Sequence, residues 1–563
     1  MKVLADREIE EDYIQKIITK IQENKDKQEY ILYNECKENY IELDKIYNGN
    51  IFSEKPELDF ITISKKTLLA ILPNFLLDNS AYNLEILPIA VLSNVYDKFL
   101  GNVIRTTLGN RIVIESTPEV RKAGGVYYNP EYIVNYIVEK TVAERLKKCN
   151  TFEDLLKIKI CDPACGSGIF LIAVYDVLIQ WTINHYRTKK LTSEEQRLVY
   201  IDSNGDLHLT AKIKREILLS CIYGVDINIQ AVEVTKKMLS LKILEDITHD
   251  EIHQEIENFS NTILPYLGEN IKCGNSLIGK DYLDSNLFLN SEELKQLNIF
   301  NWEEEFQTVF KDKGGFDCVI GNPPNLSLQL SQNNIKEYYG KTYKTFSRTG
   351  DTCYLFFERG FSLLNKEGVL GYYSHSHWSQ AYSGEQIRKF LVEMGSPYLF
   401  VYIDGTSKGE LDSNILLMSR KINHSDSTYV EACRIESDFK EEDFDSYIEK
   451  NQVTIKINSE PWVIKNSKQM KIKEIFEKVG TKIGDSYQIT QGSGLGLAEA
   501  FLIDTRTKEE MISKDSRYAE VIKPFLKGKD IQKWLPGISN SWLILLPPNI
   551  SEAEFKNNYA MAL

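Results

Sequence analysis

A short apolar strand that runs directly into a rigid proline turn is the feature that most constrains the fold. Residues 316–321 read FDCVIG and are followed by Asn322, Pro323, Pro324 and Asn325. Each proline fixes its own φ and lacks an N–H, and Pro323 also pushes Asn322 toward extended backbone. In open α/β sheets, ligands bind at such strand ends. The stretch therefore predicts either a polar site at a sheet edge or an ordinary strand-ending turn, because Asn-Pro and Pro-Pro are general turn signals.

The turn offers two acceptors that suit a planar amine, namely the side-chain oxygen of Asn322 and the backbone carbonyl of Pro323. In an exocyclic ring amine the nitrogen lone pair is delocalised into the ring. Two acceptors on its hydrogens would draw the nitrogen toward tetrahedral geometry and free the lone pair for attack. The turn thus predicts chemistry on an amino group.

A second motif has the form of a nucleotide-binding loop. Residues 158–161 (IKIC) predict a strand that ends at Asp162, and the loop PACGSG leads into an apolar helix from Ile169. The spacing is not G-x-G-x-x-G, and no P-loop lysine follows. We expect a ligand with an ammonium group near Asp162 and a carboxylate near the N–H groups of Gly166 and Gly168.

Two further polar strand ends follow along the chain. The apolar run 217–225 predicts a second strand that ends at Asp226, where an acid can bind ribose hydroxyls. Asp226 could instead cap the helix predicted for residues 229–241. Asn275 lies in a Gly-Asn-Ser turn after a short predicted strand, a sequence that is more often a turn than a site.

The alternation of strands and helices over residues 157–420 predicts an α/β, Rossmann-like doubly wound sheet. We predict a helical N-terminal or linker domain at 1–114, the α/β domain at 115–450, and a mixed domain at 451–563. The last residues follow LLPP with no closing structure, so we expect the third domain to be partial.

Composition limits the kinds of partner and cellular compartment that suit this chain. The net charge is −14, but residues 451–533 hold 15 Lys and Arg against 11 Asp and Glu, a basic segment suited to phosphate contacts. No run approaches the roughly 20 apolar residues of a membrane span. The nine cysteines include no CxxC pair, which indicates free thiols in the cytoplasm. His375 and His377 lack further ligands nearby, so we expect no metal site.

Together these motifs resemble the gamma-class N6-adenine DNA methyltransferases, especially the methylase part of type IIG restriction–modification enzymes. Over residues 115–534 the chain has the family's order: a glycine-containing lid segment, the DPACGSG loop, the ribose acid, the GNSL turn, the Asn-Pro-Pro turn and a target recognition domain. Several motifs in one span make chance a poor explanation.

The resemblance implies S-adenosyl-L-methionine as cofactor and double-stranded DNA as substrate, with N6 of a flipped adenine as the methyl acceptor in a restriction–modification or phage-defence system. A nuclease domain or subunit would lie outside this chain. Asn322 and Pro323, with the stiffening Pro324, would hold the adenine amino group, and Lys523, Lys527 and Lys529 are candidate phosphate contacts. The implied cofactor residues are Tyr128, Pro130, Asp162, Ala164, Gly166, Gly168, Asp226 and Asn275.

One position departs from the family, which usually has an aromatic ring after Asn-Pro-Pro that stacks on the flipped base. Here that position is Asn325. Such stacking contributes roughly 1–3 kcal/mol per base in single-strand binders. Tyr338, Phe346 or Trp378 could supply another ring. A catalytically weak or silent DNA-recognition subunit and an N4-cytosine methyltransferase therefore stay open as alternatives.

Overall fold

The fold is described on a computed structural model. This model describes residues 129–247, 264–284, 290–405 and 412–464, with gaps, and parts of 13–116. Beyond residue 466 it describes mainly 501–526 and 531–545, again with gaps. The chain divides into two compact units, Met1–Asn466 and Ser467–Leu563.

The first unit is built on a sheet of nine strands. In chain order these are β1 Ile160–Asp162, β2 Ile222–Asp226, β3 Ile271–Cys273, β4 Phe316–Gly321, β5 Leu364–His375, β6 Gly395–Ile403, β7 Ser413–Arg420, β8 Tyr429–Ile435 and β9 Val453–Lys456. Their order across the sheet is β9-β8-β6-β7-β5-β4-β1-β2-β3. The predicted boundary at residue 450 stays a prediction, although β9 lies beyond it and pairs with β8.

The strand order reverses between β1 and β4. Strands β3, β2, β1, β4 and β5 are parallel neighbours, whereas β7 is antiparallel to both β5 and β6. From β1 the chain moves outward to β2 and β3, and then returns to β4 on the other side of β1. In open parallel sheets this reversal leaves a crevice at the carboxyl ends of the two strands, where ligands bind.

Helices cover both faces of this sheet, which confirms the predicted doubly wound α/β fold. The main helices after residue 129 are α1 Glu131–Val138, α2 Ile169–Arg187, α3 Ala211–Cys221, α4 Ile229–Ile243, α5 Asn333–Thr342, α6 Thr352–Leu363, α7 Glu385–Met394 and α8 Phe444–Asn451. Shorter helices span Phe152–Leu156, Asp281–Asp284, Ser291–Leu297, Trp302–Glu305, Gln307–Lys313 and His377–Gln380. No helix among these described residues combines the length and apolar character needed to cross a bilayer.

Alternate side chains of the buried strands enter two separate apolar clusters. On β4, Cys318 and Ile320 belong to one cluster and Val319 belongs to the other. Side chains of a strand point alternately to its two faces, so one cluster lies on each face of the sheet. A strand buried on both faces is expected to read as a continuous apolar run, as residues 318–320 of β4 do.

The prediction of a strand over the apolar run 217–225 was only partly correct. Residues 211–221 form helix α3, and the strand starts at Ile222. A short continuous apolar run has no period that separates a buried helix end from a buried strand. The two elements follow one another directly, which hides the boundary.

The N-terminal region contains strands in addition to the predicted helices. Tyr13–Glu23 is a helix, as predicted, while Glu29–Ile31 pairs with Thr62–Ser64 and Asn102–Thr106 pairs with Ile112–Ser116. Most of the apolar stretch 84–100, which belongs to the predicted helical domain, lies outside the described residues.

The second unit contains a three-stranded antiparallel sheet. Ser541–Ile544 lies between Leu502–Asp504 and Ile522–Pro524, and the helix Thr505–Lys514 follows the first strand. Lys523 is exposed on its strand, whereas Lys527 and Lys529 lie outside the described residues. The role predicted for these lysines stays a prediction.

Strand β4 is anchored at its start by the buried carboxylate of Asp317, which is 1% exposed. Its oxygens accept hydrogen bonds from Lys159 N at 2.8 Å, Asn365 Nδ2 at 3.0 Å, Arg145 Nη2 at 3.1 Å and Lys313 Nζ at 2.5 Å. Burial alone would raise the pKa of this carboxyl, but the bonds and charge of Lys313 hold it below its usual value. One ionised side chain therefore joins β4 to the residue before β1, to β5 and to two flanking helices.

We expect Asp317→Asn to destabilise the first unit by about 2–3 kcal/mol near pH 7. Breaking a buried ion pair is strongly destabilising, and the partly exposed Arg145 and Lys313 moderate the loss by reaching solvent. Because the folded pKa of Asp317 is lowered, its stabilisation is present above the unfolded pKa and is lost as pH falls through the folded value. Denaturant unfolding should show the variant and the natural chain converging below about pH 4.

Glu367→Gln is the matched control for this substitution. Glu367 also pairs with Arg145, at 3.3 Å, but its side chain is 63% exposed. Its loss should change stability by less than about 1 kcal/mol. Equal effects of the two substitutions would contradict the anchoring role of Asp317.

Candidate active site

The carboxyl ends of β1 and β4 open onto a cavity of about 440 Å³. Its position is the crevice expected where the strand order reverses. Its volume is in the range of sites that hold a small molecule or cofactor. Both leading sequence motifs therefore contribute to one space.

Most of the predicted site residues line this cavity. Those that line it are Asp162, Ala164, Gly166, Asp226, Asn275, Asn322, Pro323 and Pro324. Pro130, Gly168 and Asn325 lie in the same segments but are not among the lining residues. Tyr128 lies outside the described residues.

Asp162 is buried at the base of the cavity, with 1% of its surface exposed. Its Oδ1 accepts a hydrogen bond from Ala164 N at 3.0 Å. Burial raises the pKa of this carboxyl to about 8, and the nearby Asp226 adds to the rise. In the free chain at neutral pH this group is mostly protonated, so a cation beside it would favour ionisation.

Gly321, the last residue of β4, lies directly against Asp162. A Cβ at this position would be 2.5 Å from Asp162 Oδ1, and the glycine φ of 145° is one that other residues rarely adopt. The residue before the proline turn is thus fixed as glycine by both its backbone and its neighbour. This contact brings the two motifs within van der Waals distance.

Asp226 forms hydrogen bonds with backbone groups on both sides. Its Oδ2 accepts from Gly166 N at 2.9 Å and its Oδ1 from Asn228 N at 2.8 Å, and burial raises its pKa. The residue that caps α4 is Asn228, whose side chain accepts from Gln230 N at 2.8 Å. Asp226 is therefore a cavity residue that ties β2 to the glycine loop, and not the cap.

The two glycine N–H groups that we expected to face a ligand carboxylate are already paired within the protein. Gly166 N donates to Asp226, and Gly168 N donates to Cys165 O at 2.8 Å. The carboxylate-binding role predicted for these N–H groups thus needs the loop to change its hydrogen bonds.

The side chain of Asn322 is held by another amide. Its Nδ2 donates to Asn129 Oδ1 at 2.8 Å. Its Oδ1 has no hydrogen bond from any other residue that the structure describes, and Asn322 lines the cavity. The amide thus keeps an acceptor at the place where the sequence predicts an amine.

Asn325 uses its amide within the turn. Its Nδ2 donates to Pro323 O at 3.3 Å, the second acceptor predicted for the amine. Its Oδ1 is buried without a hydrogen-bond partner. Since a carbonyl oxygen has two lone pairs, Pro323 O can still accept from a second donor.

Several cavity residues were not predicted. Asn129 directly precedes the predicted Pro130 and could have been found from that motif. Tyr339 on α5 and Phe356 on α6 also line the cavity, but nothing in their sequence separates them from core aromatics. Ser276, next to Asn275, donates from Oγ to Pro163 O at 2.5 Å and ties the GNS turn to the glycine loop.

The rings suggested to replace the missing aromatic are placed elsewhere. Trp378 is fully buried, with its Nε1 donating to Ser374 Oγ, and Tyr338 donates from its hydroxyl to Asp281. Phe346 packs against the core. None of the three lines the cavity, and a stacking role for one of them stays a prediction.

The cavity carries acidic groups and no basic ones. Among the described residues that line it, Asp162 and Asp226 are the only ones with a carboxyl side chain, and no Lys, Arg or His is present. Such a lining favours a cationic ligand over one with several phosphates, which proteins usually bind with basic side chains.

Two family models match the chain over this region. The model described as N-6 DNA Methylase matches residues 111–264, and the model described as Eco57I restriction-modification methylase matches residues 220–407. The matches include the glycine loop, Asp226 and the proline turn.

Curated relatives extend the similarity. Type II restriction enzyme and methyltransferase RM.Eco57I of Escherichia coli is 30% identical over 79% of this chain and 42% of its own length. Type II methyltransferase M.BstVI of Geobacillus stearothermophilus is 24% identical over 68% of this chain and 60% of its own. A solved structure of the type IIL enzyme MmeI with DNA covers 99% of this chain and 68% of its own, at TM-score 0.47 and 14% identity, too distant to support a conclusion about function.

The chain thus spans about 40 to 60% of the length of these two curated relatives. The order of motifs, the cavity they form and the two family matches agree over residues 111–407. This part of the chain is similar to the N6-adenine DNA methylases of restriction–modification systems.

Proposed function

We propose that the chain is the methylase part of a site-specific DNA methyltransferase that moves a methyl group from S-adenosyl-L-methionine to N6 of an adenine flipped out of double-stranded DNA. The observation that carries the proposal is the shared cavity, in which the acidic glycine-loop side and the Asn-Pro-Pro turn face one space. A site for a methyl donor and an acceptor for an amine must adjoin for direct transfer to occur.

The acidic lining supports S-adenosylmethionine as the cofactor. This molecule carries an ammonium and a sulfonium but no phosphate, and it supplies a methyl group on a sulfur that is a good leaving group. Asp162 would lie near the ammonium and Asp226 near the ribose hydroxyls, and Asn275 lines the same cavity. Ile227, which is 56% exposed, provides apolar surface for the adenine ring of the cofactor.

The proline turn would bind the target amine. Asn322 Oδ1 and Pro323 O would accept its two hydrogens and orient the nitrogen lone pair toward the methyl carbon. S-adenosylmethionine would supply the methyl group, so that the N–C bond would form as the S–C bond breaks with its electron pair left on sulfur, and the extra proton of the amine would pass to water. No covalent enzyme intermediate is needed, which agrees with a cavity wall that supplies acceptors.

The remaining parts of the proposal concern partners. The unit Ser467–Leu563 would take part in target recognition, with exposed Lys523 as a phosphate contact. A nuclease outside these residues would complete a restriction–modification or phage-defence system. The nine cysteines are free, which supports a reducing cytoplasmic setting.

Transfer of labelled methyl from S-adenosylmethionine to duplex DNA of mixed sequence tests the activity. We expect label on adenine N6 from the natural chain, and a loss of about 100-fold or more for Asn322→Ala, by analogy with other single preorganised hydrogen-bonding groups. Asn325→Tyr should raise the rate because a ring can stack on the flipped base. Asn334→Ala removes an amide bond to Tyr282 outside the cavity and should leave the rate unchanged.

The other outcomes are equally informative. Label from Asn325→Tyr but none from the natural chain would identify a silent recognition subunit. Label on cytosine would reassign the substrate to N4 of that base. No label from either chain, with cofactor bound normally, would contradict the proposed activity.

Cofactor binding should also release a proton. At pH 6.5 the Asp162 carboxyl, with its pKa of about 8, is protonated in the free chain. A bound ammonium favours the carboxylate, so binding releases close to one proton and affinity rises by up to about tenfold from pH 6 to 7. Calorimetry in two buffers of different ionisation enthalpy measures the number of protons released on binding.

Asp162→Asn should bind more weakly and release no proton. Asp284→Asn, at an exposed acid away from the cavity, should release as many protons as the natural chain. Unchanged proton release in Asp162→Asn would contradict the placement of the ammonium beside Asp162.

A further inference from the structure

The hydrogen bond between Asn322 and Asn129 gives the turn an orientation that its own sequence does not fix. An Asn side chain can present either its oxygen or its NH2 group to a ligand, because rotation by 180° exchanges them. Here Asn322 Nδ2 donates to Asn129 Oδ1 at 2.8 Å. The opposite orientation would turn the NH2 group of Asn322 toward the cavity, where it would oppose the hydrogens of an amine.

We propose that Asn129 is a positioning residue that holds the Asn322 amide with its oxygen toward the substrate amine. This inference rests on the proposed function and adds a residue to it. Asn129 itself lines the cavity, so its side chain acts at the site and not from a distance.

Asn129 can serve this purpose because its backbone is well anchored. Pro130 follows it and caps α1, and its carbonyl accepts from Ile133 N at 3.0 Å and Val134 N at 3.1 Å. Ile133 and Val134 are each 1% exposed, so the first turn of α1 is packed in the core. Because this backbone is fixed, the Asn129 side chain has little freedom to move with the Asn322 amide if that amide rotates.

The other polar side chains beside the turn are engaged differently. Asn325 Nδ2 bonds to Pro323 O, and Thr352 Oγ1 donates to Pro324 O at 2.6 Å. These bonds fix the backbone of the turn. Among the described residues, the Asn322 side chain bonds only to Asn129, so that bond alone sets the direction of its amide.

The bond also links two parts of the site that are far apart in sequence. Asn129 lies between Tyr128 and Pro130, the positions predicted to face the methionine end of the cofactor. Asn322 would face the target amine. A change in the cofactor segment can therefore reach the amine acceptor through one hydrogen bond.

The test measures kcat, and KM for both substrates, in Asn129→Ala, Asn129→Asp, Asn322→Ala and the double variant Asn129→Ala/Asn322→Ala. Asn129→Ala should lower kcat by about three- to tenfold, the effect of one net hydrogen bond, with both KM values changed less. Asn129→Asp keeps a side-chain oxygen that can accept from Asn322 Nδ2 and lacks only the NH2 group of Asn129. Its kcat should therefore lie within about twofold of that of the natural chain. The double variant should be no slower than Asn322→Ala. Asn334→Ala is the matched control, because it removes an amide bond outside the cavity.

A second readout does not depend on activity. The same substitutions are compared for thermal unfolding, where Asn129→Ala and Asn322→Ala should be non-additive because the residues are in contact. Additive effects, an unchanged kcat in Asn129→Ala, or an Asn129→Asp variant as slow as Asn129→Ala would each overturn the positioning role.

Failure of the proposed function has a different signature. If the natural chain transfers no methyl group, the proposed activity falls and the positioning role falls with it, whatever the unfolding cycle gives. If the natural chain methylates DNA and the cycle is additive, only the role of Asn129 is overturned.

Discussion

The carboxylate of Asp317 is the interaction on which the site depends most. It is buried at the start of β4 and accepts from Lys159 before β1, from Asn365 on β5 and from two flanking cations. Register in a sheet is a matter of single residues, and a shift by one would turn every side chain of β4 to the other face. By fixing β4 between its neighbours at one end, this group determines where the strand finishes and therefore where the proline turn begins.

The site that results has two sides with different electrostatics. The glycine-loop side has two carboxyls, the buried Asp162 and the partly buried Asp226, whose pKa values are raised by desolvation. The turn side has neutral acceptors on amide and backbone oxygens. A neutral acceptor can bind the hydrogens of an amine without protonating it, whereas an ammonium ion would have no free lone pair for attack. The division between the two sides therefore suits a cationic donor and a neutral acceptor of the same methyl group.

The sequence predicted the structure well where a motif places glycine or proline residues at the end of a strand. The sheet, the loop at Asp162, the acid at Asp226 and the Asn-Pro-Pro turn were all recognisable, because glycine and proline restrict what the local chain can do. The start of β2 at Ile222 was not, since a helix end and a buried strand share the same apolar residues. Rings such as Tyr339 and Phe356 line the cavity through helix packing, which leaves no local signature.

Hydrogen bonds between residues far apart in the chain could also not be predicted from the sequence. Asn129 and Asn322 are separated by 193 positions, and Gly166 N meets Asp226 across 60. The second pair exists because parallel strands bring their carboxyl ends to one edge, and the first because the start of α1 places Asn129 beside that edge. The chemistry of each residue was visible in the sequence, but whether its hydrogen-bonding group faces a ligand or another part of the protein depends on the folded edge.

The contact between Gly321 and Asp162 has a consequence for how such enzymes can be recombined. Any side chain at 321 would meet the carboxylate at 162, so the ends of β1 and β4 must fit each other as a pair. A chimera whose crossover falls between these two residues inherits the halves of one interface from different parents. Exchanges that leave residues 162–321 intact keep the pair together.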